Sequence, residues 1–368
     1  MNVSYAIVLL ISFGLSACGG KVSGFDQQLK AAESARQSGD YATQRARFDE
    51  AIQLARSDEE RAEALYRKAH SHLRSGNQTA GLSALKELAT TYSKTSRAPR
   101  AWLDQGRIFE KSAASDKAEI CYQKLVSDYP RYGGAPKAAR RLVELRQTRG
   151  ISARVTYQLL REQNRAPELD EALRYYQAAE LASRDSTRAA AAFEALAKAY
   201  PLPKGRYTDE ALLWAAVLQR KNGQPEHALK LLHTLKKQDK QAWTIGSYTR
   251  TSYLDAHILS GQILRDDLNH PQKARDEFEY LLKRHDGRTT DEALFELLIS
   301  DLREGQDTCP ALDRLRQNSP NSKYLPCAKR LCSGHPNPSW SEPSELALKH
   351  CQRWTTEGTE LRTRLRLR

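Results

Sequence analysis

Along most of the chain, apolar residues recur at intervals of three and four positions, with charged and polar residues between them. This spacing puts the apolar side chains on one face of an α-helix and predicts amphipathic helices from about residue 25 onward. Polar turns containing glycine follow many of these helices, at Gly39-Asp40-Tyr41, Gly76-Asn77-Gln78, Gly223-Gln224-Pro225 and Gly305-Gln306-Asp307. Because glycine suits the position after a helix and the polar residues suit the next N-cap, these turns predict helical hairpins.

One predicted hairpin, residues 99–132, has a distinctive order of large and small side chains. Its packing positions are Trp102, Gly106, Phe109, Ala118, Tyr122, Leu125 and Pro130. We expect Gly106 and Ala118 to let the two helices approach closely while the large residues fill the seam between them. Pro130 should end the second helix.

The same frame returns along the chain. The matching positions are Ala32, Phe48 and Ala51; Leu65, Ala69, Leu85 and Leu88; Leu173, Tyr176, Ala189, Phe193, Leu196 and Pro201; Leu212, Ala216, Ala228, Leu232 and Leu235; Gly261, Ala274, Phe278 and Leu281; and Leu294, Leu298, Ala311 and Leu315. A further helical pair, 136–147 and 151–163, has the length of one unit without its signature. The chain is therefore predicted to contain about eight hairpins.

This pattern resembles the tetratricopeptide repeat (TPR), and the resemblance implies an all-α, TPR-like α-solenoid. A generic helical bundle or a Sel1-like or HEAT-like solenoid is the alternative. Units of about 37 residues that end in Asp128-Tyr129-Pro130 or Ala199-Tyr200-Pro201 resemble outer-membrane TPR lipoproteins in the style of BamD-like and Tol-Pal coordinator proteins.

The segment Leu15-Ser16-Ala17-Cys18 closes an apolar run, residues 5–15, that is too short to span a bilayer. It resembles a bacterial lipobox, although residues 2–17 contain no Lys or Arg. The resemblance implies a signal peptide at 1–17, lipidation of Cys18 and a membrane anchor of several acyl chains. Gly19 after the lipidated cysteine favours, by the same resemblance, the outer membrane. An ordinary secretory signal cleaved near Ala17 is the alternative.

These patterns divide the mature chain into four segments. We expect a lipidated linker at 18–24, an N-terminal TPR array at 25–166 whose last unit is degenerate, and a C-terminal TPR array at 167–332. A cysteine-containing cap with a basic tail should follow at 333–368. The tail has four arginines alternating with other residues in 361–368, and is expected to be a frayed end or a short docking strand.

Four of the six cysteines lie in the last sixth of the chain: Cys309, Cys327, Cys332 and Cys351. In the oxidising compartment that export implies, they predict two disulfides with three possible connectivities. We favour Cys309–Cys327, which would join adjacent helices, and Cys332–Cys351, which would hold the turn at 335–338. A zinc site is the alternative, but the spacing lacks a Cys-x2-Cys knuckle.

Composition and charge limit the classes of partner. The chain is 40% hydrophobic with a mean hydropathy of −0.69, and no later segment predicts a transmembrane helix. Its formal charge is +13, spread over helices in which most basic residues alternate with acidic ones. A basic exported protein can meet acidic lipid headgroups, anionic envelope polymers or an acidic protein partner. We do not expect nucleic acid as a partner.

Few patterns typical of catalysis occur. There is no glycine-rich phosphate loop, Gly-x-Ser-x-Gly elbow or His-Glu-x-x-His stretch. His285-Asp286 resembles the pair of metal phosphohydrolases but has no second pair, while His70 and His72 should point to different faces of their helix. Cys121 is expected to be a buried apolar residue. We therefore predict no catalytic residue, cofactor or metal site; an envelope hydrolase using His285 and Asp286 is the alternative.

The resemblance to TPR proteins implies a groove along the first helices of the hairpins. The residues that line it are those of the first helices that do not pack between helices. Counting from the packing frame gives Tyr66, His70, Arg74, Arg100, Leu103, Arg107, Lys111, Arg220 and Lys221. Arginines and lysines around a tyrosine suit an acidic peptide, a carboxyl terminus or an anionic polymer. The alternative is a row of solubilising charges.

These observations predict a non-catalytic TPR adaptor, lipid-anchored to the outer membrane on the periplasmic side. It would bind a protein partner in an envelope complex: barrel assembly, Tol-Pal or division, or a secretion, pilus or motility machine. The alternative function is a receptor for peptidoglycan or lipopolysaccharide through the basic groove.

Overall fold

The computed structural model describes residues 23–164, 166–237, 251–284, 290–332 and 345–359, and in these ranges it contains eighteen α-helices and no strand. The helices are α1 (Gly24–Gln37), α2 (Tyr41–Leu54), α3 (Asp58–Arg74), α4 (Gln78–Thr91), α5 (Ala98–Lys111), α6 (Ser115–Asp128), α7 (Ala135–Gln147), α8 (Ala153–Gln163), α9 (Pro167–Leu181), α10 (Ser186–Ala199), α11 (Thr208–Lys221), α12 (Pro225–Lys236), α13 (Thr251–Asp266), α14 (Pro271–Arg284), α15 (Thr290–Arg303), α16 (Cys309–Asn318), α17 (Leu325–Leu331) and α18 (Glu345–Glu357). The predicted all-α, TPR-like solenoid is confirmed. Within the described ranges, no helix combines the length and the apolar character that crossing a membrane requires.

The helices from α1 to α16 follow one another as eight hairpins, which matches the predicted number. The pair without the signature is present as α7 and α8. The chain divides into two compact units, the first ending at Leu125 and the second beginning at Val126. The boundary predicted between 166 and 167, like the other segment limits, stays a prediction.

Turn chemistry explains where the helices begin and end. Gly39 and Gly76 adopt φ values of +76° and +80°, where a side chain would be strained. The next residue then caps the following helix: Asp40 accepts hydrogen bonds from the backbone N–H groups of Ala42 and Thr43. The predicted glycine turns are thus confirmed at these two hairpins.

The hairpin at 99–132 packs largely as its sequence predicts. Ala118, Tyr122 and Leu125 are fully buried, and Gly106 lies against the Tyr122 ring. Trp102 and Phe109, which we also expected to fill the seam, are only half-buried. Proline ends the second helix, since α6 stops at Asp128.

Hydrogen bonds accepted by acidic residues join successive hairpins. Near the start of α3, the two carboxylate oxygens of Glu59 accept hydrogen bonds from the Ser96 backbone N–H (2.8 Å) and hydroxyl (3.1 Å), just before α5. In α9, Glu171 accepts the Tyr207 N–H at 2.7 Å, just before α11. In both places the acid ties the first helix of one hairpin to the turn that begins the next.

Both disulfides in the described ranges lie between residues 309 and 351, with only Cys351 inside the cap predicted at 333–368, and their pairing differs from the one we favoured. Cys309 is bonded to Cys332 and Cys327 to Cys351, with Cα atoms 4.9 and 5.2 Å apart, so the expected Cys309–Cys327 and Cys332–Cys351 pairs are wrong. The reason is the hairpin of α16 and α17, which brings the start of the first helix to the end of the second. The Thr308 hydroxyl accordingly donates to the Leu331 carbonyl at 2.9 Å.

The second disulfide holds α18 against α17, and an aromatic cluster completes the cap. Trp354 is buried against Tyr324 and Phe295, with ring centroids 4.8 and 6.1 Å away. The turn at 335–338, Cys18 with the lipobox, and the basic tail at 361–368 lie outside the described residues.

Candidate binding site

Helices α3 and α5, the first helices of neighbouring hairpins, bring several predicted groove residues together. Tyr66 and His70 lie on α3, while Arg100 and Arg107 lie on α5. Their side chains meet around a carboxylate that sequence reasoning missed, that of Asp104. We call Tyr66, His70, Arg97, Arg100, Asp104 and Arg107 the Tyr66–Asp104 cluster.

Asp104 organises this cluster through hydrogen bonds. The Tyr66 hydroxyl donates to Asp104 Oδ2 at 2.7 Å, and His70 Nε2 lies 3.2 Å from the same oxygen. Arg107 Nη1 lies 3.6 Å from Asp104 Oδ1 and forms an ion pair with it. One acidic group therefore connects the two helices and orients three predicted groove residues.

Burial and charge shift the ionisation of two groups in the cluster. Burial raises the pKa of Asp104, but hydrogen bonds from His70 and Tyr66 and the charge of Arg100 outweigh it, so the pKa lies below its usual value. Burial, together with the hydrogen bond to Asp104, raises the pKa of Tyr66 to about 12. Asp104 is therefore a carboxylate and Tyr66 a neutral hydrogen-bond donor at neutral pH.

Two guanidinium groups lie over the Tyr66 ring. Arg97 Cζ is 5.0 Å and Arg100 Cζ 5.8 Å from the ring centroid, within the range of cation–π attraction. Arg100 Nε also donates to the Tyr66 hydroxyl at 2.8 Å. Arg97 forms an ion pair with Glu63 of α3, which is also 2.6 Å from Arg67. The cluster thus contains arginines that form ion pairs with the carboxylates of Glu63 and Asp104.

The other predicted groove residues of the first unit differ in exposure. Arg74 and Lys111 are exposed, and Arg74 Nε donates to the His70 carbonyl at 3.2 Å. Leu103 is buried, with 6% of its surface exposed, so this side chain presents little surface to a ligand.

In the second unit, Arg220 is held by the chain's own acids. Its Nε donates to Asp267 Oδ2 at 2.6 Å, and its Nη2 lies 3.4 Å from Asp266 Oδ2. Lys221 beside it is exposed. Both residues lie at the end of α11, where the positive charge of Arg220 is largely neutralised.

Sequence reasoning missed Arg97 and Asp104 for identifiable reasons. Asp104 lies one position past Leu103, so the groove count selected the leucine instead. Arg97 lies in the turn before α5, where the helical count does not apply. The signal that could have found Asp104 is its distance of 34 positions from His70, close to one repeat.

Some predicted features cannot be placed. His285 and Asp286 lie outside the described residues. Among the residues that the structure describes, no group of three or more His, Cys, Asp or Glu side chains is arranged to hold a metal ion. Cys121 is buried, as predicted, and burial raises the pKa of its thiol to about 12.

Solved structures of TPR proteins are similar to this chain at low sequence identity. A TPR protein from Parabacteroides merdae is 12% identical, covering 74% of this chain and 98% of its own, with a TM-score of 0.32. The P58(IPK) TPR domain is 16% identical, covering 89% and 97%, with a TM-score of 0.28. The TPR2AB domain of yeast Sti1, in complex with pHSP90, is 12% identical, covering 74% and 96%, with a TM-score of 0.29.

A search of curated proteins finds no match to the chain. A family model does match it over one hairpin. Residues 100–132, which include Arg100, Asp104 and Arg107 of α5, match the tetratricopeptide repeat.

Proposed function

We propose that this chain is a non-catalytic TPR adaptor that is anchored to the outer membrane by a lipid on Cys18 and binds a protein partner of an envelope complex. The Tyr66–Asp104 cluster is the contact site in this proposal. The candidate complexes are the barrel-assembly, Tol-Pal or division, and secretion, pilus or motility machines.

The observation that carries the proposal is that α3 and α5, the first helices of two neighbouring hairpins, both contribute side chains to one polar cluster. Asp104 and Glu63 hold arginines of the cluster in fixed positions, which lowers the conformational entropy that a partner must remove on binding. Arg100, Arg74 and Lys111 add exposed positive charge around it. Such a surface suits acidic side chains or a carboxyl terminus of a partner protein.

The lipid anchor is supported by the Leu15-Ser16-Ala17-Cys18 segment and by the oxidised cap. Two disulfides are expected in an exported protein and are rare in the cytosol. Both features favour a location outside the cytosol.

The test is purification of the lipidated protein from detergent-solubilised cells, with the wild-type chain and the triple variant Arg100→Ala, Arg107→Ala and Lys111→Ala. We expect a stoichiometric protein partner with the wild type and at least a roughly tenfold weaker affinity for the variant, equivalent to about 1.4 kcal/mol. The matched control removes three exposed lysines elsewhere in the unit, at Lys86, Lys94 and Lys124, and should bind normally.

The alternative function is favoured by one specific observation, the surplus of arginine and lysine around the cluster. If no stoichiometric protein is recovered, while purified peptidoglycan or lipopolysaccharide binds with a steep dependence on salt, the chain is a polymer receptor and the adaptor proposal fails. Equal binding by the triple variant and the wild type would exclude the cluster as the contact site.

A further inference from the structure

The end of α18 places a short main-chain segment against side chains of α13 and α15. The Thr359 N–H donates to Glu296 Oε1 at 2.5 Å, and its hydroxyl donates to the same oxygen at 2.8 Å. Gln262 Nε2 donates to the Thr359 carbonyl at 3.1 Å. One side chain from each helix thus holds the two hydrogen-bonding groups of a single residue.

The fit around this segment is close. Gly358 has a φ of +83°, and a Cβ added to it would lie 2.5 Å from Gln262 Nε2 and 3.0 Å from Glu296 Oε1. Thr359 is buried, with 4% of its surface exposed. The site therefore takes a glycine followed by a residue whose N–H faces the carboxylate.

The pair that holds Thr359 has a counterpart in the first unit. Gln262 donates to Glu296 at 2.7 Å, and the two residues are 34 positions apart. His70 and Asp104, 3.2 Å apart, are also separated by 34 positions. In each case a polar residue on the first helix of one hairpin meets an acid on the first helix of the next.

The two pairs also occupy the same places in the repeat frame. Gln262 follows the small residue Gly261, as His70 follows Ala69. Leu298 occupies the frame position that Gly106 occupies in its own hairpin. Glu296 lies two positions before Leu298, and Asp104 lies two positions before Gly106. The two pairs are therefore alike in their positions within the repeat as well as in their chemistry.

The two acids differ in what they bind. Glu296 accepts hydrogen bonds from Gln262, Thr359 and Arg265, and its side chain is fully buried. Asp104 keeps part of its side chain, 12%, exposed to solvent. Its Oδ2 accepts from Tyr66 and pairs with His70, whereas Oδ1 has Arg107 Nη1 at 3.6 Å, beyond hydrogen-bond distance. Since a carboxylate has about four acceptor positions, Asp104 can accept further N–H donors.

We propose that the His70–Asp104 pair binds the main chain of a partner peptide, with Asp104 accepting a backbone N–H as Glu296 accepts that of Thr359. The partner segment would carry a glycine before the bound residue. This inference rests on the proposed adaptor function and specifies how its contact site recognises a ligand: by main chain at Asp104, with the exposed positive charge of Arg100 nearby to favour acidic side chains in the same peptide.

The probe is the peptide acetyl-Thr-Glu-Gly-Thr-amide, which copies residues 356–359, titrated into the full chain while the imidazole NMR signals of His70 are followed. We expect saturable shifts of His70. A peptide N-methylated at its last threonine lacks the N–H donor, and we expect its affinity to be at least tenfold lower. This comparison uses the wild-type protein only and does not depend on the folding of a variant.

Variants locate the site. Asp104→Asn should weaken peptide binding at least tenfold, whereas Asp58→Asn, an exposed acid on α3, should leave it unchanged. A chain that ends at Glu357 removes the internal segment from Glu296, so it should bind two peptides where the full chain binds one.

Several results would overturn the inference. These are equal affinity for the N-methylated peptide, unchanged binding by Asp104→Asn, or binding by the shortened chain alone. Any of these would leave the adaptor proposal standing if a protein partner is still recovered with the wild type and lost with the triple variant. If no protein partner is recovered but the peptide binds as expected, the adaptor proposal fails and the peptide site at Asp104 stands.

Discussion

Gly106 and Tyr122 are in direct contact across the seam of their hairpin, and a Cβ on Gly106 would lie 2.5 Å from Tyr122 Cε1. The same relationship recurs between Gly261 and Phe278, where the distance would be 2.4 Å. In both hairpins the absence of a side chain lets a large aromatic ring lie against the first helix.

Replacing Gly106 by alanine should destabilise the first unit. Because the Tyr122 ring is fully buried and cannot move away freely, we expect the free energy of unfolding to fall by about 1 to 3 kcal/mol. Urea denaturation followed by circular dichroism measures this change. Gly133→Ala is the matched control: a Cβ there meets nothing within 4 Å, and its stability should not fall. If Gly106→Ala has the same free energy of unfolding as the wild type, the close contact between Gly106 and Tyr122 does not contribute to stability, and the prediction is wrong.

Loss of Glu296 should be much more harmful than loss of a surface acid. Its carboxylate pairs at 2.8 Å with Arg265, whose side chain is 3% exposed. Glu296→Ala would remove one of the two carboxylates that pair with that guanidinium, the other being Asp266 at 2.6 Å, and would leave Gln262 and the Thr359 N–H without this acceptor, at an expected loss of about 3 kcal/mol. The comparison is Glu180→Ala, which breaks a pair with Arg184, 69% exposed, and should cost at most about 1 kcal/mol. Similar losses in the two variants would contradict the burial argument.

The hydrogen bonds of Asp104 should make stability depend on pH. Since its pKa in the folded chain is lower than in the unfolded chain, the carboxylate stabilises the fold above the unfolded pKa of about 3.9, and this contribution is lost as pH falls through the folded value. We expect Asp104→Asn to be less stable than wild type by about 1.5 to 3 kcal/mol at pH 7. The difference should shrink below about pH 4. Urea unfolding between pH 3 and pH 7 tests this, and a difference that is independent of pH would show that the charge is not involved.

The two disulfides should be found as Cys309–Cys332 and Cys327–Cys351 by mass spectrometry of unreduced proteolytic peptides. Removing either one, by changing both cysteines to alanine, should lower the free energy of unfolding of the cap by about 3 kcal/mol, because each closes a loop of 23 or 24 residues. Recovery of a peptide pair linking Cys309 to Cys327 would contradict the structure.

Changing Cys18 to serine should release the protein from the membrane fraction. Without the thiol there is no acceptor for the diacylglycerol, and no helix in the described ranges is suited to cross a bilayer. Fractionation of cells and metabolic labelling with palmitate measure this. If Cys18→Ser remains in the membrane fraction and wild type takes up no label, the lipoprotein proposal is wrong.

The fold was accessible from the sequence because its information is local and repeated. The small residues at Gly106 and Ala118 and the large one at Tyr122 return, for example, as Gly261, Ala274 and Phe278, and each recurrence supports the others. Hairpin limits were equally local, since a glycine with a following cap residue determines where a helix ends.

The candidate site was only partly accessible, since it depends on contacts between hairpins. Counting along α5 found Arg100 and Arg107, but it selected Leu103, which is buried, and passed over Asp104, which organises the cluster. The cysteine pairing failed for a similar reason. Which end of α16 approaches α17 follows from their three-dimensional packing, which the spacing of cysteines does not encode.

Trp354 and Cys351 give the last helix an inward face that covers the apolar end of the final hairpin, while Lys349, Gln352 and Arg353 on its other faces are exposed. A repeat array without such a lid would offer an apolar surface on which the first hairpin of another copy could stack. Because the lid is bonded covalently through Cys327, thermal fluctuation alone does not detach it. The consequence is that, in the described ranges, α18 covers the apolar side of the final hairpin, so another copy meets no open apolar face there on which to stack head to tail.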